Sequence, residues 1–328
     1  MEPVSVAACG VRVSEIAMDP QNPEIVYASM EMRGIYKSTD GGNNWSSTGS
    51  MKDLWGGNLM IDPKNPQIIF AGSVDGGKTW RSIWQSTAIF RHTIHPNNEE
   101  ILYAIVTDKG LHKSINGGES WTPIGDEKLG ICKEFALDTK NPNTLYGYFE
   151  RKITDSSGNT RNIYAKEYGI TGEIMKSVND GVTWTPLLPT MGITYMAVDP
   201  SNSSIVYALN MQYGVYCSLD GGKRWNTVNH GLPNRTQVSV FAFDPVTPGK
   251  IYVGTSRGLF TRTDRGDNWG PVGNGLHVNV SILAINPKNP EIIYAGASGN
   301  GIFKTADGGI TWYHSNKGLP EVSCRRKF

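Results

Sequence analysis

"GIYKSTDGGNNW", residues 34–45, reads as an alternating apolar segment, a tight glycine turn and a tryptophan. The pattern S-x-D-x-G-x-x-W returns along the chain, centred on Asp40, Asp75, Asn116, Asn179, Asp220, Asp264 and Asp307. Each centre is followed five residues later by a tryptophan: Trp45, Trp80, Trp121, Trp184, Trp225, Trp269 and Trp312. Upstream stands a second marker of the type "AMDPQNPEIVYA", headed by Asp19, Asp62, His95, Asp138, Asp199, Asp244 and Asn286 and mostly continued by proline. Two markers that keep one phase through seven copies define an array.

Between the markers the text alternates with period two: an apolar segment ending in the Asp-Pro turn, an "IVYA" segment, a "GIYKS" segment, and a short segment led by Trp. These are four strands per repeat, here A to D. About 40 to 45 residues holding four strands is the length of a propeller blade. The sequence therefore predicts an all-β chain: one domain over residues 1–328, a seven-bladed β-propeller of four-stranded antiparallel blades. In each turn the Asp or Asn side chain accepts hydrogen bonds from nearby backbone N–H groups, Gly supplies positive φ, and the Trp buries its indole beside or between blades. The Asn copies and Arg262, which stands where Ser is expected in the sixth copy, predict weaker turns.

Composition narrows the function classes. With 31 Lys and Arg against 30 Asp and Glu the chain carries no broad positive field, so nucleic acid is not an expected partner. No run of about 18 apolar residues is present, which predicts no membrane span. Cys9, Cys132, Cys217 and Cys324 are far apart and form no metal-binding spacing. "VAAC" at 6–9 has neither a basic nor an apolar stretch before it and reads as strand rather than leader. No Cys/His pair falls within one motif, and no cofactor is expected. His92 and His95 fall on opposite faces of a strand, "RGD" at 265–267 is the turn of the sixth copy, and Asn44, Asn202, Asn234 and Asn279 begin N-x-S/T triplets.

At the repeated turns the chain resembles the Asp-box, or BNR-repeat, propellers. These include sialidases, sortilin-type receptors, xyloglucan-active endoglucanases and the propeller-type photosystem II assembly factor. The resemblance covers residues 11–315 and implies a fold superfamily that holds hydrolases, receptors and binders alike. It also implies work outside the cytoplasm.

Departures from the array carry more information than the array. From the Asp-Pro marker to the turn the distance is 20 or 21 residues in five repeats, 13 in the second and 41 in the fourth. The second repeat, "IIFAGSVDGGKTW", leaves no room for a B–C hairpin, whereas the fourth inserts a polar stretch, residues 150–173. A short wall at blade 2 and a tall one at blade 4 predict an asymmetric cleft on the face that carries the B–C and D–A connections. The tail "NKGLPEVSCRRKF" repeats the start of a connector and is expected to be disordered or to pair with "PVSVAACG".

The candidate site residues lie toward that face. Trp55 and Trp84, outside the repeated turns, can stack on sugar rings or on a partner's side chain. Glu31, Asp53, Glu134 and Glu150 are the carboxylates to watch; Glu31, in "VYASMEMRGIY", sits where xyloglucanase-like enzymes carry a catalytic Asp, in a different local sequence. Arg12, Arg91 and Arg235 near the starts of inner strands can form an anion site. The sialidase arginine motif of the "RIP" type is missing. The expectation is a non-catalytic propeller binding a glycan or a protein through Trp55, Trp84, Arg12, Arg91, Glu134 and Arg235. The alternative is a glycoside hydrolase with a carboxylate pair that includes Glu31 and Asp53.

Overall fold

The computed structural model of the chain describes residues 12–31, 33–49, 59–70, 89–125, 129–150, 152–154, 160–162, 172–190, 192–210, 212–234, 236–263, 268–273, 276–297 and 299–320. The strands in chain order begin with a four-stranded sheet, β1 (Val13–Met18), β2 (Val26–Met30), β3 (Gly34–Ser38) and β4 (Ser46–Ser47). A two-stranded sheet follows, β5 (Met60–Ile61) with β6 (Ile69–Phe70). The next four-stranded sheet is β7 (Ile89–His95), β8 (Asn98–Val106), β9 (Gly110–Ser114) and β10 (Thr122–Pro123). Then come β11 (Ile131–Leu137) and β12 (Leu145–Glu150), which continue into β15 (Gly172–Ser177) and β16 (Thr185–Thr190). Between β12 and β15 a separate hairpin, β13 (Lys152–Thr154) with β14 (Thr160–Asn162), occupies part of the predicted insertion. The last three sheets are β17 (Ile193–Val198) to β20 (Asn226–Thr227) through β18 (Val206–Asn210) and β19 (Gly214–Ser218); β21 (Val238–Phe243), β22 (Ile251–Thr255), β23 (Gly258–Arg262) and β24 (Gly270–Pro271); and β25 (Val280–Ile285), β26 (Ile293–Ala297), β27 (Gly301–Thr305) and β28 (Tyr313–His314).

All pairings are antiparallel. Among the described residues there are six four-stranded sheets, not seven, and the second repeat is represented by β5–β6 alone. Asp75, Trp80 and the shortened B–C step of that repeat lie outside the described residues, as does the C-terminal connector beyond residue 320. The chain forms two compact units, Met1–Ile83 with Leu232–Phe328, and Trp84–Gly231. No helix among the described residues is long and apolar enough to cross a membrane.

The "VYA" segments become the second strand of each sheet for a physical reason. β2, β18, β22 and β26 are buried along their whole length, as continuous apolar runs must be when neighbouring sheets cover both faces. Hydrophobic clusters accordingly join successive sheets inside each unit: Tyr252 and Val272 with Ile293 and Phe303, or Tyr146 and Ile174 with Met196 and Val206. The fourth strands span two residues, except β16, where Pro186 and Pro189 remove backbone donors from the longest outer edge.

The repeated tyrosine also ties one sheet to the turn of the next. In the first unit Tyr294 and its cross-strand partner Lys304 both donate to the carbonyl of Gly41, each at 2.6 Å. In the second unit Tyr146 and Lys176 reach the carbonyl of Gly221 in the same way, at 3.2 and 3.3 Å. Tyr103 and Lys113 meet Asp180, which holds that glycine's position with φ 61° and receives both donors on its carboxylate.

Five of the glycine turns are described, and all five are built alike. The Asp or Asn Oδ1 accepts the hydroxyl two residues before it and the N–H four residues after it. That hydroxyl in turn accepts the N–H of the second glycine-turn residue, at 2.8 to 2.9 Å. Asn116 and Asn179, where weaker turns were expected, keep both bonds through Oδ1, and Nδ2 donates to Ser120 or Thr183. Arg262, in place of the sixth hydroxyl, is buried with its guanidinium 5.4 Å from the Trp269 ring centre. Trp45 and Trp269 are buried as expected, whereas Trp121, Trp184 and Trp225 are half-buried and donate to their own turns' glycine carbonyls.

Hydrogen bonds to Asp307, first from Thr305 and then from the Thr311 side chain and amide, hold its carboxyl down at about 2. A depressed carboxyl stabilises the fold above its unfolded value of 3.8 and loses that contribution as pH falls toward about 2. Asp307→Asn reproduces the Asn179–Thr183 pairing at this turn. It should leave the melting temperature at pH 7 unchanged and lessen its fall between pH 4 and pH 2, as followed by tryptophan fluorescence. A parallel fall in both proteins would refute the assignment.

Candidate functional site

Among the described residues, the first strand of each four-stranded sheet carries a β-bulge at the same point. The register shifts between Val13 and Glu15, Ile89 and Arg91, Cys132 and Glu134, Ile193 and Tyr195, Val238 and Val240, and Val280 and Ile282. A bulge re-aims the side chain beside it, and its recurrence marks the residue that follows. That residue stands four before the Asp-Pro marker in each repeat. It is Glu15, Arg91, Glu134, Tyr195, Val240 and Ile282 in turn.

In the unit Trp84–Gly231 three successive sheets bring three of these side chains together. Arg91 Nε lies 2.8 Å from Glu134 Oε1, and its guanidinium carbon stands 4.1 Å from the centre of the Tyr195 ring. A second guanidinium nitrogen donates to the Met196 carbonyl at 3.3 Å. The guanidinium is thus held on three sides by β11 and β17, with 28% of the Arg91 side chain exposed. Glu134 is only 6% exposed. Burial pushes its carboxyl up to about 7, against the pull of Arg91 and of the Met196 and Phe135 amides. The contact with Arg91 is an ion pair rather than an aligned hydrogen bond, since Glu134 Oε1 accepts none. Opposite Glu134 on β12 stands Tyr148, fully buried, whose hydroxyl accepts the Gly192 amide. Cys132, two residues before Glu134, is buried and donates to the Glu134 carbonyl; burial raises its thiol well above the usual range.

The same position is mostly apolar in the other unit. Val240 and Ile282 face Gly254 and Gly296 across the sheet, and a Cβ on Gly254 would stand 2.5 Å from Val240 Cγ1. Glu15 accepts the amide of Ile16 at 3.4 Å. In that unit Arg12 and Glu31 form an ion pair at 3.5 Å, with 69% and 35% of their side chains exposed. The Glu31 amide donates to the Arg12 carbonyl, so the B–C turn of the first sheet rests on the start of β1.

Of the residues singled out in sequence, Arg91 and Glu134 are joined in one cluster. Arg12 and Glu31 pair with each other. Glu150 ends β12 and is half-buried. Asp53, Trp55, Trp84 and Arg235 lie outside the described residues. The arginines expected to form an anion site each have a carboxylate of their own where they are described. Tyr195 was missed; alignment of the repeats on the Asp-Pro marker puts it in one column with Arg91 and Glu134. Among the described residues no three His, Cys, Asp or Glu side chains are grouped to hold a metal ion. Together the cluster offers a carboxyl that exchanges protons near neutrality, a guanidinium edge and an aromatic ring.

No family model matches the chain. A xyloglucanase of Paenibacillus sp is 28% identical over 296 residues, which cover 84% of this chain and 23% of that protein. An oligoxyloglucan-reducing end-specific xyloglucanase of Emericella nidulans is 25% identical over 195 residues, 53% of this chain and 22% of that one. The chain therefore spans less than a quarter of the length of these curated relatives. Among solved structures, YCF48 bound to D1 peptide superposes with a TM-score of 0.63 at 12% identity, over 90% of this chain and 92% of that chain. An ancestral GH74 enzyme superposes with a TM-score of 0.53 at 20% identity, over 92% and 37% of the two chains. With the antiparallel four-stranded sheets, these likenesses place the chain in the β-propeller fold class.

A carboxyl raised in the folded state binds its proton more tightly there, so Glu134 stabilises the fold relative to the unfolded chain below 4.5 and loses that advantage as pH rises through about 7. The loss amounts to on the order of 3 kcal/mol. Denaturant midpoints measured from pH 4.5 to pH 8 should fall with this shape, and the fall should vanish in Glu134→Gln. An unchanged slope in the variant would place the titration elsewhere.

Proposed function

We propose that this chain is a xyloglucanase-type propeller that acts on a polysaccharide of the xyloglucan class, with Glu134 as proton donor and with Arg91 and Tyr195 holding the sugar. The observation that carries this reading is the buried Glu134 carboxyl, raised to about 7 beside a guanidinium and an aromatic ring. Hydrolysis of a glycosidic bond needs an acid that is still protonated near neutral pH to protonate the leaving oxygen, and a second carboxylate for the other face of the sugar. Glu134 is the candidate for the first of these. The similarity to xyloglucanases over 84% of the chain supports the substrate class. With this reading go the assignment of the repeated turns as Asp-boxes, a count of seven blades, and a location outside the cytoplasm.

A second reading, a non-catalytic propeller that binds a glycan or a protein, is favoured by one observation. The likeness in fold to YCF48 bound to D1 peptide extends over nine-tenths of both chains. The two readings part at turnover.

Release of reducing ends from xyloglucan is the deciding measurement. Folded wild-type protein should release them, and Glu134→Gln should lower kcat by about 100-fold or more, the range for loss of a general acid, while still binding the polymer. Binding without release by the wild-type protein would overturn hydrolysis and leave the binding reading in place. Neither binding nor release would overturn the polysaccharide as ligand.

A further inference from the structure

The fifth repeat, which supplies Tyr195, also carries an unusual B–C turn. Asn210, 1% exposed at the end of β18, accepts the amides of Gln212 and Tyr213 on Oδ1 at 2.8 and 2.9 Å. Asn229, from the connector that follows the sheet, donates to the Tyr213 carbonyl at 2.7 Å and accepts the Val215 amide at 2.8 Å. Gly214, at φ +84°, makes that approach feasible, because a Cβ there would stand 2.3 Å from Asn229 Oδ1. The seventh repeat has a related lock, with Asn316 accepting the Ile302 amide beside Gly301, but its turn ends in Gly299 and Asn300. In the fifth repeat the locked turn instead presents an aromatic side chain: Tyr213 is 46% exposed.

Such an arrangement is costly without a use. Two asparagines restrain a turn on the surface, and the residue they fix there carries a large ring that is 46% exposed. Restraint of this kind lowers the entropy lost when a ligand settles on the ring. The position is telling as well. Asn210 pairs with Ile193 across the sheet, and Tyr195 lies two residues further along the same strand, a rise of about 7 Å. The turn therefore stands at the end of β17 nearer Tyr195, within a span that a short oligosaccharide covers. The other B–C turns among the described residues present Glu31 and Arg33, Asp108 and Lys109, Ser256 and Arg257, or Gly299 and Asn300.

We propose that Tyr213 is a stacking platform for a pyranose ring, a subsite flanking the Arg91–Glu134–Tyr195 cluster that binds the same polysaccharide chain. This inference rests on the polysaccharide reading above. The bond is the stacking of sugar C–H groups on the ring face, with the Tyr213 hydroxyl secondary.

Binding of xyloglucan oligosaccharides, measured by titration calorimetry at pH 6 on the whole chain, tests it. Tyr213→Ala should raise Kd about tenfold, the effect of losing one aromatic contact. Tyr213→Phe and Tyr213→Trp should stay within about twofold of the wild-type protein. Tyr313→Ala, which removes a comparably exposed ring from β28, should bind as the wild type does. Melting temperatures of all variants should match, since the Tyr213 side chain supports no core. Wild-type binding with an unaffected Tyr213→Ala would overturn the platform and leave the polysaccharide reading standing. A wild-type protein that binds none of the oligosaccharides would overturn both.

Discussion

A turn that hands a hydrogen-bond acceptor to the next sheet ties successive sheets together. At Asp40 and Asp220 the glycine that follows points its carbonyl at the neighbouring sheet, where a buried tyrosine and its cross-strand lysine donate to it. The turn can offer that carbonyl only if its backbone is fixed, and the fixing is done by a single side-chain oxygen together with the Ser or Thr hydroxyl two residues earlier. A hydroxyl inside such a turn is satisfied in both directions. The lysine Nζ atoms also lie over the tyrosine rings, 5.0 Å from the Tyr146 centre for Lys176 and 5.6 Å from the Tyr294 centre for Lys304. Sheet, turn and next sheet are thus one unit of hydrogen bonding, which explains why Ser, Asp, Gly, Tyr and Lys recur together.

Much of the fold was legible for this reason. A turn that needs one hydroxyl, one oxygen acceptor and two residues at positive φ leaves an unmistakable spacing, and "VYA" segments buried on both faces leave continuous apolar runs. The fourth repeat shows where the legibility ends. Its insertion was visible as a change in spacing, and the separate β13–β14 hairpin within it was not. Asp180, held at positive φ where other turns have glycine, looks like a defect in the pattern until Tyr103 and Lys113 are seen to converge on its carboxylate. The turn uses one oxygen and lets the other atom match residue four, a hydroxyl for Asn and an amide, guanidinium or hydroxyl for Asp, so Asn and Asp both fit it.

The candidate site was less legible. Arg91 and Glu134 were selected as charged residues near inner strands, yet nothing in their local text says that they meet, because 43 residues of chain separate them. What joins them is the phase of the array. A position counted back from the Asp-Pro marker lands beside the bulge in the first strand of each four-stranded sheet among the described residues, and the sheets of β7, β11 and β17 bring equal positions together. Tyr195 escaped notice since a tyrosine in a β-rich chain has an ordinary explanation, and only the column shared with Arg91 and Glu134 sets it apart.

The composition of that column is itself an argument about selection. At Val240 and Ile282 the position is filled by an aliphatic side chain facing a glycine, a solution that buries apolar surface and strands no polar atom. The fold therefore has an inexpensive answer for this position. In three successive sheets of the other unit it is replaced by a guanidinium, a carboxyl and a phenol, of which the carboxyl is nearly sealed from water. Taking an ion pair out of water costs more than its attraction usually returns, and well-packed apolar groups of similar volume generally serve stability as well or better. Burial raising the Glu134 carboxyl toward neutrality despite Arg91 is the same imbalance seen through its proton. A repeat array that holds the cheaper solution in its own neighbouring copies, and departs from it in adjacent sheets at one register position, departs for a reason other than folding.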